Sequence, residues 1–213
     1  MALHKVQSAE SGCMPGTRVD ILSKFMEWAK TDPMCIFWLA GLAGTGKTSI
    51  AVTLCRMLTE DPGVVLGGSF FCSRTANLNE LTDARCMFPM LATALTEQSP
   101  AFATALAAEL DADSSAALKP ISTQIRPLLQ QPLAATAPSI LPILFVIDAL
   151  DECSNETEVK ALLRAISTFE HGANIKFIVT SRPATHIDTS PISISDQNTI
   201  LRLHTIGKAQ VNR

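Results

Sequence analysis

The stretch Gly41-Leu42-Ala43-Gly44-Thr45-Gly46-Lys47-Thr48 decides the fold of this chain. It matches the pattern G-x-x-x-x-G-K-[ST] at every fixed position. An apolar run of strand length, residues 36–39, comes directly before it. After it, apolar side chains recur at the spacing of one helix face, at Ile50, Leu54, Met57 and Leu58. A strand, a glycine-rich loop and a helix in this order predict a phosphate-binding loop.

Each residue type in this loop has a physical task in holding phosphate. Glycine at positions 41, 44 and 46 allows backbone conformations that a Cβ atom disfavours, so successive N–H groups can point at one anion. Lys47 would place a positive charge between the β- and γ-phosphates, and the Thr48 hydroxyl would ligate Mg²⁺. We therefore expect nucleotide contacts from Gly41, Leu42, Ala43, Gly44, Thr45, Gly46, Lys47, Thr48 and Ser49. The alternative is a glycine-rich turn that binds nothing.

Composition and charge narrow the class of protein. The chain has 213 residues, of which 47% are apolar and 17% charged, and its net charge is −3. This balance, without a cluster of Lys and Arg, argues against a nucleic-acid partner. Six cysteines lie apart without a C-x-x-C pair, which argues against a disulfide framework and a zinc site. Neither a signal peptide nor an apolar run of membrane-spanning length is present, so we expect a cytoplasmic protein without a membrane partner.

The order of elements predicts one domain of the α/β class. We expect a disordered segment over residues 1–12, a single nucleotide-binding domain over 13–205 and a short tail over 206–213. Strands are predicted at 35–39, 64–72, 143–147, 175–180 and 201–203. Helices are predicted at 22–31, after the loop as far as residue 60, over 81–117 and 121–133, and from 159 to near Gly172. Buried-type strands that alternate with helices indicate a mostly parallel sheet.

Two features within this pattern interrupt regular structure. Gly67-Gly68 predicts a bend or a close backbone approach in the second strand. Pro127 or Pro132 would break or kink a helix over 121–133, and we expect a loop over 134–141.

A cluster of carboxylates follows the strand at 143–147. Asp148 stands where a nucleotide-binding α/β protein holds Mg²⁺, and we expect it to act as that ligand directly or through water. Asp151 and Glu152 follow within one turn, and either could orient and activate a water for attack on the γ-phosphate. The sequence does not show which of these two residues activates the water. The alternative is a helix start, because Asp and Glu favour first turns.

One arginine follows the neighbouring strand. Arg182, after the strand at 175–180, could reach the γ-phosphate and report its presence. The alternative is a solvated loop arginine.

Three segments together resemble one family. The loop GLAGTGKT, the acidic strand end ILFVIDALDEC and the strand end FIVTSRP resemble the NACHT NTPases. These belong to the signal-transducing P-loop ATPases, and the closest likeness is to the fungal NOD-like receptor type. CMPGTRVDIL before the first strand and FFCSR at 70–74 are also similar to that group, so the resemblance covers about residues 13–210.

The resemblance implies a P-loop NTPase fold, three-layered α/β/α with sheet order 5-1-4-3-2. It implies an ATP- or GTP-binding, Mg²⁺-dependent switch that hydrolyses slowly and serves defence, self-recognition or regulated cell death. Lys47 and Thr48 would hold phosphate and Mg²⁺, Asp148 would be the metal carboxylate, and Arg182 the γ-phosphate sensor. Arg18 would lie beside the base. Such proteins usually add effector, winged-helix and repeat regions, so we expect a bare NTPase core whose protein partners or self-association depend on other regions.

Two other hypotheses for the function of the protein stay open. A small-molecule or nucleotide kinase would also carry a phosphate-binding loop, but it usually needs an arginine-bearing lid. Residues 73–142 hold only well-spread arginines, at 74, 85 and 126. The second alternative is a nucleotide-binding scaffold that never hydrolyses. ATP is favoured over GTP because no [NT]-K-x-D pattern is present.

Overall fold

The computed structural model describes residues 11–74, 79–136, 141–168, 174–183 and 200–203. Within these residues the strands are β1 (Ile36–Ala40), β2 (Val65–Phe71), β3 (Ile143–Asp148), β4 (Ile175–Ser181) and β5 (Ile200–Arg202). The helices are α1 (Val19–Thr31), α2 (Lys47–Glu60), α3 (Met87–Gln98), α4 (Pro100–Ala112), α5 (Ile121–Ile125), α6 (Gln131–Ala134) and α7 (Glu156–Ser167). Short 3₁₀ turns lie at Asn79–Leu81, Ala84–Cys86, Ala116–Leu118 and Leu150–Glu152.

The strands form one sheet in the order β2-β3-β4-β1-β5, which reads 5-1-4-3-2 from the other edge. Every pairing is parallel. β4, the fourth strand in the sequence, occupies the middle of the sheet, between β1 and β3. The predicted α/β class with a parallel sheet is confirmed. Because parallel strands end at the same edge, the glycine-rich loop, the acidic residues and Arg182 all follow strands at one edge.

Both faces of the sheet are buried under helices. Phe37 and Leu39 of β1 face a core that includes residues of α1 and α2. Ile36, Trp38 and Ala40 face the other core, with residues of α3 to α5 and α7. The side chains of a strand alternate between faces, so a strand covered on both sides reads as a continuous apolar run. The arrangement is a three-layer α/β/α sandwich.

The predicted interruption in β2 is a bulge. The register of β2 against β3 shifts between Leu66 and Gly68. A Cβ atom on Gly68 would come within 2.9 Å of Ala94 on α3. Glycine therefore lets α3 pack directly on the strand backbone.

The helical region over 81–117 is divided into two helices and flanking 3₁₀ turns. Ser99 ends α3 and caps α4, because its Oγ accepts a hydrogen bond from the N–H of Phe102 at 3.2 Å. Pro100 takes the first position of α4, where its missing N–H removes no helical hydrogen bond.

The region of Pro127 and Pro132 follows a helical path with a wide turn. A π-helical turn, Arg126–Gln130, joins α5 to α6. The N–H of Gln131 donates to the carbonyl of Arg126, five residues back. The longer hydrogen-bond ring makes room for proline in the helical path, so the expected break is a π-turn.

Several predictions fall outside the described residues. These are most of the disordered segment over 1–12, the tail over 206–213 and residues 137–140 of the predicted loop. The helix predicted from 159 to near Gly172 is instead Glu156–Ser167, with Thr168 as its C-cap. Among the described residues, no helix has the length and apolar character needed to cross a bilayer.

Candidate functional site

The glycine-rich loop turns sharply between β1 and α2. Gly44 and Gly46 have φ values of 75° and 83°, the left-handed region that favours glycine. Gly41 is needed for space instead, because a Cβ atom there would lie 2.7 Å from Thr45 Oγ1 and 3.0 Å from the Leu203 side chain. The Gly41 N–H donates to the Ser181 carbonyl at 3.1 Å, which fixes the loop to the end of β4.

Lys47 begins α2 and turns its ammonium group into the loop. Its Nζ donates to the carbonyls of Gly41 at 2.8 Å and Leu42 at 3.0 Å. Burial lowers the pKa of Lys47, an effect that the nearby carboxylates of Asp151 and Asp148 oppose. A partly desolvated cation held within a glycine-rich loop is suited to binding a polyanion.

A hydrogen-bonded chain of three side chains joins the loop to the sheet. Thr48 Oγ1 lies 2.8 Å from Asp148 Oδ2, although the residues are 100 positions apart. Thr180 Oγ1 donates to Asp148 Oδ1 at 2.6 Å and accepts from the Ala149 N–H at 3.0 Å. Asp148 and Thr180 are 2% and 0% exposed. Both carboxylate oxygens of Asp148 have hydrogen-bond partners, as is usual for a buried polar group. The predicted pair Thr48 and Asp148 is thus brought together.

The acidic turn, Leu150–Glu152, is the next part of the site. Ala149 enters it with φ 54°, an unusual backbone angle for a residue with a Cβ atom. Arg182 binds the turn twice through Asp151, with its N–H 2.8 Å from Oδ1 and its Nε 3.1 Å from Oδ2. Its Nη2 lies 3.8 Å from Glu152 Oε1. The residues predicted to activate water and to sense phosphate are therefore paired with each other.

Arg74 contacts the acidic turn from the other side. Its Nε donates to the Glu152 carbonyl at 3.0 Å, and its Nη2 donates to the Asp151 carbonyl at 3.1 Å. Its backbone N–H donates to Glu152 Oε2 at 3.1 Å. This residue lies just beyond β2, the strand next to β3.

Arg18 lies directly before α1 and reaches the glycine-rich loop. It has φ 60°, and its Nη2 donates to the Thr45 carbonyl at 2.8 Å. The structure thus brings Arg18 to the loop, and its place beside a base stays a prediction.

Sequence reasoning missed Thr180 and Arg74 as members of this site. Arg74 carries the same signal that selected Arg182, a cation just after a strand beside the acidic one. Thr180 carries no such signal, because a threonine within a buried strand is most often a packing residue.

These observations define a class: an α/β protein with a parallel sheet, in which a glycine-rich loop and an acidic strand end meet at one edge. A family model described as Nephrocystin 3, N-terminal, matches residues 16–182. The match covers most of the chain, which belongs to this family. The matched segment includes every candidate site residue from Arg18 to Arg182.

Among the curated proteins, no match to the chain was found. The matched family does not carry the NACHT name, so the closer likeness to NACHT NTPases stays a prediction.

Proposed function

We propose that this chain is the nucleoside triphosphate-binding and slowly hydrolysing core of a NACHT-type signalling switch. The hydrogen bond between Thr48 and Asp148 carries the proposal. It joins the hydroxyl of a complete phosphate-loop pattern to a buried carboxylate at the end of β3, which β4 separates from β1 in the sheet. A glycine-rich turn that bound nothing would not need this buried carboxylate beside its hydroxyl.

The donor set at this point fits Mg²⁺. Mg²⁺ prefers oxygen ligands and usually takes only one or two from the protein, the rest from water and phosphate. The Thr48 hydroxyl and the Asp148 carboxylate are such a pair. Bound there, the ion would neutralise charge on the β- and γ-phosphates. Lys47 would leave the loop carbonyls for the same phosphates.

The acidic turn supports the hydrolytic part of the proposal. Asp151 or Glu152 would orient the attacking water through a carboxylate oxygen. Both carboxylates face Arg182, so that guanidinium must turn toward the γ-phosphate before either is free of it. The ion pair is therefore the arrangement that a bound nucleotide would replace.

The biological setting of the proposal rests on the resemblance. We place the chain in the cytoplasm, in a NOD-like receptor that acts in defence, self-recognition or regulated cell death. ATP is the preferred nucleotide, and GTP is the alternative. Protein partners or self-association would transmit its state.

The first test is nucleotide binding. We expect Lys47→Ala to weaken the affinity for Mg-ATP by about 10-fold or more, because a charged hydrogen bond contributes roughly 1.5–3 kcal/mol. Lys24→Ala, at an exposed position of α1, is the matched control and should bind as the parent does. Equilibrium titrations with ATP and GTP measure both the effect and the base preference. Equal affinity in Lys47→Ala and the parent would contradict the proposal.

The second test is phosphate release. The two variants to compare are Glu152→Gln and Asp151→Asn. The one that removes the water-activating carboxylate is expected to lower kcat about 100-fold. Asp111→Asn, exposed on α4, is the control. If the parent binds Mg-ATP but releases no phosphate, the protein is a non-hydrolysing scaffold. Transfer of phosphate to a small acceptor would instead identify a kinase.

A further inference from the structure

Arg74 gives its backbone N–H and two guanidinium nitrogens to the acidic turn, Leu150–Glu152. We propose that Arg74 is a positioning residue, which holds this turn in place when Arg182 moves from the carboxylates to the nucleotide. The inference rests on the proposed function and adds a residue that neither the phosphate-loop pattern nor the acidic motif includes.

The turn needs a second cation for an electrostatic reason. Asp151 and Glu152 are adjacent carboxylates, and Arg182 is the cation paired with their oxygens. When its guanidinium turns to the γ-phosphate, the two carboxylates lose that charge while a polyanion arrives nearby. Without another anchor, repulsion would displace the turn from the position at which a carboxylate can reach water.

Arg74 suits this task because it binds the turn mostly through the backbone. Its guanidinium contacts the carbonyls of Asp151 and Glu152, so both side chains keep oxygens for water. Its backbone N–H fixes only Oε2 of Glu152. The guanidinium therefore orients the turn through its carbonyls and occupies no carboxylate oxygen.

The segment that carries Arg74 is itself held against the turn. The Cys72 N–H donates to the Asp148 carbonyl at 3.0 Å. The buried thiols of Cys72 and Cys153 lie 3.2 Å apart, on either side of the junction. Both contacts hold the backbone at Cys72, two residues before Arg74, so the Arg74 side chain starts from a fixed point beside the turn.

Arginine is required for geometric reasons. Two nitrogens of one planar guanidinium reach two successive carbonyls, which a single ammonium group cannot do in the same directions. Arg74→Lys keeps the charge and loses this fork. We therefore expect Arg74→Lys to recover only part of what Arg74→Ala loses.

The experiment compares Arg74→Ala and Arg74→Lys with Arg85→Ala in the full chain. Arg85 is a matched control, an exposed arginine whose guanidinium pairs with Asp83. We expect Arg74→Ala to lower kcat for ATP by on the order of 10- to 100-fold, the scale of a misplaced catalytic group. The dissociation constant for Mg-ATP and the thermal midpoint should stay close to those of Arg85→Ala. Equal kcat in the parent and Arg74→Ala, or an equal loss in Arg85→Ala, would overturn the proposal.

A second readout does not depend on hydrolysis. Amide hydrogen exchange of a peptide covering residues 149–154, without nucleotide, reports how often the turn opens. Exchange should be faster in Arg74→Ala and unchanged in Arg85→Ala. If the parent releases no phosphate, the proposed function fails while this exchange still decides the role of Arg74. Unchanged exchange in Arg74→Ala would overturn the positioning role.

Discussion

At the scale of single residues, the Thr180 hydroxyl connects three parts of the candidate site. It binds Asp148 on β3, the backbone at Ala149 and, through Asp148, the Thr48 hydroxyl on α2. Because the hydroxyl is fully buried, no water can replace it when it is removed. One oxygen atom therefore holds both Asp148, the proposed Mg²⁺ ligand, and the entrance to the acidic turn.

Thr180→Val tests this role, since valine keeps the shape and removes the hydroxyl. The Ala149 N–H and Asp148 Oδ1 would each lose a partner, and we expect a loss of about 1–3 kcal/mol in the free energy of unfolding. Mg²⁺-dependent ATP binding should weaken as well. Urea unfolding and nucleotide titration measure the two effects. Thr180→Ser keeps the hydroxyl and should lose much less, so equal losses in both variants would contradict the assignment.

At the scale of elements, the end of α1 is held by a lysine from the sheet. Lys176 on β4 is 5% exposed, and its Nζ donates to the carbonyls of Trp28 at 2.8 Å and Asp32 at 2.6 Å. The same ammonium lies 5.0 Å from the centre of the Trp28 ring. The last carbonyls of a helix lack partners within it and carry partial negative charge, so a cation there stabilises the helix end.

Lys176→Met is expected to lower the free energy of unfolding by about 1–3 kcal/mol. Methionine fills similar space but leaves the Asp32 carbonyl without this donor, while the Trp28 carbonyl keeps only the N–H of Asp32. Lys30→Met is the control, because Lys30 lies in the last turn of α1 itself and pairs with Asp61 at the surface. Its loss should stay below about 1 kcal/mol. Urea unfolding monitored by circular dichroism compares the two. Similar losses in both variants would exclude a special role for Lys176.

The same lysine predicts a pH dependence of stability. Burial lowers the pKa of Lys176 below the ordinary value of 10.5, so the unfolded chain holds this proton more tightly than the folded protein. The contribution of Lys176 to stability therefore increases as the pH rises through the lowered pKa toward 10.5. Lys176→Met should remove this part of the profile, and an unaltered alkaline profile would contradict it.

At the scale of the whole molecule, the sheet couples the two cores. The chain has two tryptophans, and they lie on opposite faces of the sheet. Trp28 packs with Phe25 and Phe37 at ring distances of 5.5 and 5.3 Å. Trp38 lies in the other core, where its Nε1 donates to Ser181 Oγ at 2.9 Å. Since neighbouring residues of each strand serve opposite cores, neither core can open without disturbing the other.

This coupling predicts one cooperative unfolding transition. Trp28→Phe leaves Trp38 to report one core, and Trp38→Phe leaves Trp28 to report the other. In each variant we expect the urea midpoint from fluorescence to coincide with that from circular dichroism. A fluorescence transition in Trp38→Phe that precedes the loss of secondary structure would show that the α1–α2 side unfolds independently.

Local features of the sequence were enough to predict much of this protein. The α/β class, the parallel sheet and the approximate strands follow from apolar runs and turn residues, because burial on both faces leaves a direct mark on composition. Thr48 and Asp148 were predicted as partners from the ends of two separate strands. The glycine-rich pattern around Thr48 and the apolar strand before Asp148 were enough to predict both residues.

Contacts between distant segments required the tertiary structure. The acidic turn is paired with Arg182 and held by Arg74, whose backbone N–H contacts a residue 78 positions away. Lys176 binds the end of α1 at Trp28, 148 positions away in the sequence. The junction at Pro127 becomes a π-turn instead of a break. The spacing of residues along a chain encodes which face of an element is buried. Which side chains meet at the sheet edge is decided only when the parallel strands align, because their ends come together through pairing and packing of distant segments.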